Sequence, residues 1–154
     1  LKLEGGYRGN IDGKTCTMKG ITLSVFRSFY GQGKTCKDLK NITDEQWNKI
    51  FKEGYWDKWK AEQSNSQAIA KLLVDWFWHS GMNGIKYPQE ILGVKQDGIV
   101  GEKTIKAINA SEPSELFTKL WQRRKEHLCH LAESPSKSQF LDGWLNRLND
   151  FKFN

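Results

Sequence analysis

The chain has 154 residues, of which 38% are hydrophobic, 12% aromatic and 27% charged. This size and composition fit one compact domain, with or without a small subdomain, and exclude wholesale disorder. The net charge of +6 favours a polyanionic partner such as nucleic acid, anionic lipid or a bacterial wall. The longest apolar run, Ile69 to Phe77, contains Lys71 and Asp75 and is far shorter than the roughly 18–20 residues of a membrane span.

The chain begins with a short helix-like stretch that contains Glu4 and is stopped by Gly5 and Gly6. Paired glycines accept a positive φ and end a helix. The negative end of the helix dipole disfavours a carboxylate, and a dry site would raise its pKa further. Glu4 is therefore a candidate general acid, with Tyr7 beside it. Taken alone, the short motif favours a surface glutamate at a helix end over a catalytic one.

The next segment, residues 8–21, is rich in glycine and polar residues and predicts a loop or a short hairpin. Thr22 is a suitable N-cap for a helix over 23–30, and the capping box of Thr43 and Gln46 opens another helix. After Gly54, three aromatic residues within five positions exceed what one helix face can bury. They are Tyr55, Trp56 and Trp59.

A central helix is predicted from Ser64 or Ser66 to about Ser80. Its apolar residues lie nearly all round, so we expect the helix to be buried. Asp75 and His79 are its polar exceptions, four residues apart. They could form a helical pair or a hydrogen bond in the core, or Asp75 could support an active site.

The second half is also helical, and the chain as a whole is predicted to be mainly α. A turn at 83–84 precedes a short helix at 88–93, and a turn at 97–101 leads into a helix over 102–109. Ser111 is expected to cap a long helix that reaches about 132, and a last helix covers about 137–149.

The cysteines and histidines indicate neither a metal site nor a cofactor. Three histidines are too few for a His-rich site, and Cys16, Cys36 and Cys129 lack metal-ligand spacing. Reduced, buried thiols are the favoured interpretation of the cysteines, although Cys16 and Cys36 could pair in an oxidising compartment.

Taken in order, these segments resemble glycoside hydrolase family 108. The resemblance is carried by E-G-G-Y at 4–7, Asp12, the run 17–22 that ends in G-I-T, W-D at 56–57, and Asp75 followed by Ser80-Gly81. The second half, with Gln89, Gly93, D-G at 97–98 and Asn109, resembles the small peptidoglycan-binding domain that follows in that family. The resemblance covers nearly the whole chain.

This resemblance implies a lysozyme-like helical fold with a short loop or hairpin after the first helix. It implies a catalytic region over 1–84 and a helical peptidoglycan-binding region over 85–154, packed on the first. The family's members are N-acetylmuramidases, often encoded by phages. The implied reaction is cleavage of the β-1,4 bond between N-acetylmuramic acid and N-acetylglucosamine, with Glu4 as the acid, at the bacterial wall in the periplasm or outside the cell.

A glycosidase normally uses two carboxyl groups. By analogy with phage-type lysozymes, which use a Glu…Asp…Thr set, Asp12 and Thr17 would position the attacking water, although Asp12 could equally be an ordinary turn residue. Tyr7, Tyr55 and Trp56 are candidates for sugar stacking, and Asp75 is a further candidate in the substrate site.

Two other classes of function stay open at this point. One is a non-catalytic module that binds the wall or assists secretion. The other is a nucleic-acid binder, which is disfavoured because no recognition motif is present and the aromatic residues follow helix-core spacing. We expect a monomer whose partner is peptidoglycan glycan rather than nucleic acid.

Overall fold

A computed structural model describes residues 6–9 and 15–153 of the chain. Within these ranges the protein is mainly helical and carries one small sheet of three strands. The chain divides into two compact units, Leu1–Gly54 and Tyr55–Asn154.

The first unit contains the sheet and three helices, and the second unit contains five longer helices. The first comprises β1 (Tyr7–Gly9), β2 (Cys16–Met18), β3 (Ile21–Thr22), α1 (Leu23–Tyr30), α2 (Cys36–Lys40) and α3 (Asp44–Phe51). A π-helical turn (Lys52–Trp56) and a 3-10 turn (Ala61–Gln63) follow. The second comprises α4 (Gln67–Ser80), α5 (Asn83–Leu92), α6 (Glu102–Ala110), α7 (Pro113–Leu131) and α8 (Leu141–Asn149), with a 3-10 turn (Ser138–Phe140) before α8.

The sheet is antiparallel in the order β1-β2-β3. A tight two-residue turn joins β2 to β3, with φ of 50° at Lys19 and 82° at Gly20. Positive φ at both positions matches the right-handed twist of a hairpin. The indole N–H of Trp47 in α3 donates to the carbonyl of Lys19 at 3.0 Å, which ties the turn to a helix. The hairpin predicted within 8–21 is thus present.

Side-chain caps determine where the helices of the first unit begin. Thr22 accepts from the amide of Val25 and starts α1 as predicted, and Thr43 forms the expected capping box with Gln46. A second capping box, of Thr35 with Asp38, starts α2. This helix was not predicted, because its five residues are too short to show a hydrophobic period.

The central helix α4 is buried along most of its length, as predicted. Leu72, Val74 and Trp76 have 0% of their surface exposed. Leu72 and Trp76, four positions apart, share one side of the helix and Val74 lies on the opposite side, and α4 packs against both α5 and α7. Ser66 caps its start by accepting from the amide of Ile69. An all-round apolar helix needs cover on several sides, and α5 and α7 supply it.

The predictions for 83–93 and for the start of α7 were wrong in detail. Instead of a turn followed by a short helix, Asn83–Leu92 is one helix with Pro88 inside it. Burial of Ile85, Pro88 and Gln89 outweighs the hydrogen bond that the proline forgoes. The cap of α7 is Glu112 rather than Ser111, and it accepts from the amide of Glu115 at 2.8 Å.

The predicted turn at 97–101 is confirmed. Asp97 accepts from the amide of Ile99 at 2.9 Å, the local geometry that favours aspartate in turns. Gln89, which is fully buried, accepts from the amide of Gly98 and donates to the carbonyl of Ile99. The turn is therefore held by a helix that precedes it. No helix in the described part of the chain combines the length and the apolar character needed to cross a membrane.

Replacing Gly84 with alanine should destabilise the second unit. A Cβ at this position would lie 2.5 Å from both N and Cα of Phe77, closer than real contacts allow. We expect Gly84→Ala to lower the free energy of unfolding by about 1–3 kcal/mol, measured by urea denaturation. Gly143→Ala is the matched control, because a Cβ there meets nothing within 4 Å. Equal effects of the two substitutions would contradict the close approach of α5 to α4.

Candidate active site

A cavity of about 410 Å3 lies in the first unit, between the small sheet and α1. Most of its lining residues have polar side chains, and two of them are arginines. The lining residues are Arg8, Thr15, Cys16, Thr17, Thr22, Leu23, Ser24, Arg27 and Gln32. None of these lining residues is acidic, so any carboxyl group of a catalytic site here would have to come from elsewhere in the chain.

The strand register explains why one row of polar side chains lines this cavity. Arg8 lies opposite Thr17, and Thr17 lies opposite Thr22. Directly opposed residues in neighbouring strands share a face of the sheet, and alternate residues along a strand share it too. Thr15, two positions before Thr17, also lines the cavity. The register therefore brings residues from three strands to one side.

Helix α1 supplies the other wall. The Thr22 hydroxyl accepts the amide of Val25 at 3.2 Å, so it both caps α1 and borders the cavity. Arg27, one helical turn further, donates its Nε–H to the carbonyl of Lys34 at 2.8 Å. This bond restrains the guanidinium at the cavity edge. Arg8 and Arg27 together give the described wall a positive charge.

A disulfide joins Cys16 of β2 to Cys36 at the start of α2, with their Cα atoms 5.9 Å apart. The favoured prediction of reduced, buried thiols was therefore wrong. Cys129 is a free thiol, as predicted, but it is exposed rather than buried. The bond attaches the middle strand of the cavity wall to a helix, across 20 positions of sequence. Spacing alone could not show that the two cysteines meet.

The predicted site residues of the first unit divide into three groups. Thr17 lines the cavity and is half-buried. Tyr7 is 37% exposed, alternates with Arg8 along β1, and is absent from the cavity wall; the ammonium of Lys40 lies 5.4 Å from the centre of its ring. Glu4 and Asp12 lie outside the described residues, so their predicted roles stay predictions.

The two other predicted stacking residues belong to the second unit. The ring of Tyr55 packs against Phe77 and Trp78, with centroids 5.0 Å and 4.7 Å away. Burial raises the pKa of the Tyr55 hydroxyl. Trp56 closes the π-helical turn and is half-buried. Their predicted contacts with sugar stay predictions.

Asp75 does not fit its predicted place in the substrate site. Its side chain is 1% exposed. Arg124 of α7 donates to Oδ2 at 2.9 Å, and Nε of Arg147 in α8 donates to the same oxygen at 3.1 Å. Burial by itself raises the pKa of Asp75, but the hydrogen bond from Arg147 and the charges of both arginines outweigh it, and the pKa falls below its usual value. Its carboxylate joins three helices and is inaccessible to a sugar.

Comparison with known proteins assigns the chain to a family. The family model described as glycosyl hydrolase 108 matches residues 1–81. The chain belongs to the glycosyl hydrolase 108 family. A second model, described as a predicted peptidoglycan domain, matches residues 83–149. The solved structure of SagA from Brucella abortus is similar, with a TM-score of 0.80 and 27% identity over 96% of this chain and 84% of that one. No curated protein matches the chain.

These findings confirm the mainly helical, lysozyme-like fold predicted from the sequence. They also confirm the predicted class of enzyme: this chain is a lysozyme-like glycoside hydrolase that acts on peptidoglycan. The predicted boundary at residue 84 stays a prediction. The two family matches meet near that boundary, whereas the two compact units meet at Gly54 and Tyr55.

Sequence reasoning missed several residues of the cavity wall, chiefly Arg8, Ser24 and Arg27. The alternation of Thr15 and Thr17 was a usable signal for one face of a strand. The position of Arg8 on that face needed the pairing register of β1 with β2, in which Arg8 lies opposite Thr17, and alternation along one strand does not give that register. Arg27 looked like an ordinary polar residue of an amphipathic helix.

Removing the charge of Asp75 should lower the stability of the second unit. Asp75→Asn leaves Arg124, itself 1% exposed, as a buried cation with no counter-charge from α4. We expect a loss of about 3–5 kcal/mol in the free energy of unfolding, measured by chemical denaturation. The control is Asp44→Asn, because Asp44 pairs with Lys19 at 3.7 Å but its side chain is 90% exposed. A small effect of Asp75→Asn, similar to the control, would rule out a structural role for the ion cluster.

Reducing the disulfide should loosen the first unit. The bond closes a loop across 20 positions of sequence, and such a loop contributes about 2–4 kcal/mol. We expect Cys16→Ser or added dithiothreitol to lower the melting temperature, and Cys129→Ser to leave it unchanged. Thiol titration of the denatured protein should find one reactive thiol before reduction and three after. Three thiols before reduction would disprove the bond.

Proposed function

We propose that this enzyme hydrolyses the β-1,4 bond between N-acetylmuramic acid and N-acetylglucosamine in peptidoglycan, with Glu4 as the general acid. The observation that carries the proposal is the polar cavity beside the three-stranded sheet, in the part of the chain that matches the hydrolase family. The cleft of a lysozyme-like enzyme must hold a sugar chain and present carboxyl groups to one bond.

Covalent reach supports the two carboxyl candidates. Glu4 is three residues before Tyr7, and Asp12 is three residues from both Gly9 and Thr15. Three residues span at most about 11 Å. Both carboxyl groups are therefore tethered close to the strands that border the cavity.

The roles follow from the chemistry of glycoside cleavage. The acid protonates the leaving oxygen, and a second carboxylate stabilises the oxocarbenium-like centre or activates water. We assign the first role to Glu4 and the second to Asp12. Thr17, whose side chain lines the cavity, would help to hold the attacking water through its hydroxyl group. Tyr7, Tyr55 and Trp56 remain our candidates for stacking on the sugar faces.

Arg8 and Arg27 add a preference for an acidic glycan. Both line the cavity, and guanidinium groups bind carboxylates through paired N–H donors. Peptidoglycan carries carboxylates on its stem peptides, or on muramic acid where the peptide is absent, whereas N-acetylglucosamine polymers carry none. The two arginines would therefore favour peptidoglycan over chitin as the substrate.

The site of action would be the wall, in the periplasm or outside the cell. The Cys16–Cys36 disulfide supports this location because disulfides persist in oxidising compartments. The second family match, over 83–149, keeps a competing hypothesis open, in which the chain mainly binds the wall or assists secretion. The predicted monomeric state stays a prediction.

Replacing Glu4 separates these hypotheses. The wild type and Glu4→Gln are incubated with purified peptidoglycan, and the new reducing ends are identified by mass spectrometry. We expect reducing N-acetylmuramic acid from the wild type and a rate lower by roughly 10²–10⁴-fold in the variant. Glu45→Gln, an exposed glutamate of α3, is the matched control and should keep full activity.

Each other product points to a different reaction. Release of N-acetylglucosamine at the reducing end would show that the other glycosidic bond of the glycan is cleaved. Release of free peptides would indicate an amidase or peptidase. Equal activity of the wild type and Glu4→Gln would sink the assignment of Glu4. Co-sedimentation of the wild type with peptidoglycan without any product would favour the binding module.

A further inference from the structure

A second cavity, of about 300 Å3, lies entirely within the second unit. The end of α4, the start of α5, the last turns of α7 and the segment that leads into α8 surround it. Its lining residues are His79, Ser80, Asn83, His127, Leu131, Lys137, Phe140 and Trp144. The volume is near the lower end of the roughly 300–1,000 Å3 of small-ligand sites, which suits one sugar unit rather than a long chain segment.

Aromatic side chains form one wall of this cavity. Trp144 packs edge-on against His79 with centroids 5.6 Å apart, and Phe140 lies 6.0 Å from Trp144. Phe140 is nevertheless 47% exposed. Exposing a large apolar ring to water at a cavity mouth is unfavourable. A ligand that covers the ring would recover that free energy. The flat C–H face of a pyranose ring matches such a surface.

Polar atoms in the same wall lack partners. Within residues 6–9 and 15–153, the buried Ser80 Oγ and His127 Nδ1 have no hydrogen-bond partner. An unsatisfied buried polar group costs on the order of 1–3 kcal/mol, so groups that hydrogen-bond to them would bind favourably. His127 is uncharged at neutral pH because burial, then the charge of Arg123, lowers its pKa to about 4. These neutral groups suit the hydroxyl and acetamido groups of an amino sugar.

The charge at the cavity mouth indicates that the bound sugar carries a negatively charged group. Lys137 is exposed at the rim, and no acidic residue is among the lining residues. A single ammonium group can pair with one carboxylate. A nucleotide or teichoic phosphate chain would need several cations around it, because each phosphate carries charge.

We propose that this cavity binds an N-acetylated amino sugar that carries an acidic peptide, namely the muramoyl unit of the glycan with the start of its stem peptide, as a site separate from the cavity beside the sheet. Trp144 and Phe140 would receive the ring, Ser80 and His127 its polar groups, and Lys137 a carboxylate of the stem peptide. The inference rests on the proposed function for its choice of ligand. It gives the half of the chain that matches a predicted peptidoglycan domain a specific binding site.

Binding is tested without turnover, in the full chain carrying Glu4→Gln. The probe is N-acetylmuramyl-L-alanyl-D-isoglutamine, titrated by calorimetry and followed by NMR of 15N-labelled tryptophan side chains. We expect Phe140→Ala and Lys137→Ala each to weaken binding about tenfold, and the Trp144 indole signal to shift on titration. Phe140 and Lys137 are exposed, so both variants should fold, which equal melting temperatures would establish.

Matched controls come from another cavity of the same unit. Phe153 and Lys152 line that cavity, and Phe153 is 40% exposed. Phe153→Ala and Lys152→Ala should change the affinity less than twofold. The dipeptide L-alanyl-D-isoglutamine alone should not bind. Equal losses in the controls, unchanged affinity in Phe140→Ala, or equally tight binding of the dipeptide would each overturn the proposal.

The two proposals fail in different ways. If the wild type releases reducing N-acetylmuramic acid but Phe140→Ala binds the probe normally, only this second site is refuted. If Phe140→Ala abolishes binding but no sugar product forms, the second site stands and the hydrolase proposal falls.

Discussion

The buried carboxylate of Asp75 organises the second unit. It is the single acidic group on α4, a helix that is otherwise apolar on nearly every side, and it is bound by arginines from α7 and α8. A buried ion cluster contributes little net stability compared with well-packed apolar side chains, but it penalises every arrangement in which one partner is missing. Hydrophobic packing has little directional preference, whereas the directed hydrogen bonds from Arg147 favour the position of α8 that keeps them.

In the first unit a different constraint acts, because its sheet is too small to be stable by strand pairing alone. The strands have only two or three residues each. They are held from outside, by the disulfide from Cys16 to Cys36 and by the indole of Trp47 on the Lys19 carbonyl. These attachments keep the polar row of Arg8, Thr17 and Thr22 in register beside the cavity.

Local signals in the sequence were sufficient for most of the fold. The caps at Thr22 and Thr43 predicted two helix starts, Ser66 was one of two predicted caps for a third, and the apolar character of α4 predicted its burial. Those features depend on residues within a few positions of each other. Several of the misses depended on distant partners. Pro88 continues a helix because α5 is buried, and Asp75 meets Arg124 and Arg147 from 49 and 72 positions away. Periodicity carries no information about such pairs. Local reasoning made Glu4 a candidate acid, but the family resemblance was needed to prefer that role over a surface glutamate.

The positively charged wall of the first cavity constrains which of two carboxyl groups can act as the general acid. A guanidinium within about 4–6 Å favours the ionised form of a carboxyl and lowers its pKa. A general acid needs the opposite, a carboxyl that keeps its proton near neutral pH. Arg8 and Arg27 therefore suit an ionised carboxylate, the role proposed for Asp12, better than they suit the acid. For Glu4 to serve as the acid, its carboxyl must lie away from both guanidinium groups or in a drier environment. The same charges that would attract an acidic glycan thus separate the roles of the two carboxyl groups, because only the one shielded from the arginines can hold the proton.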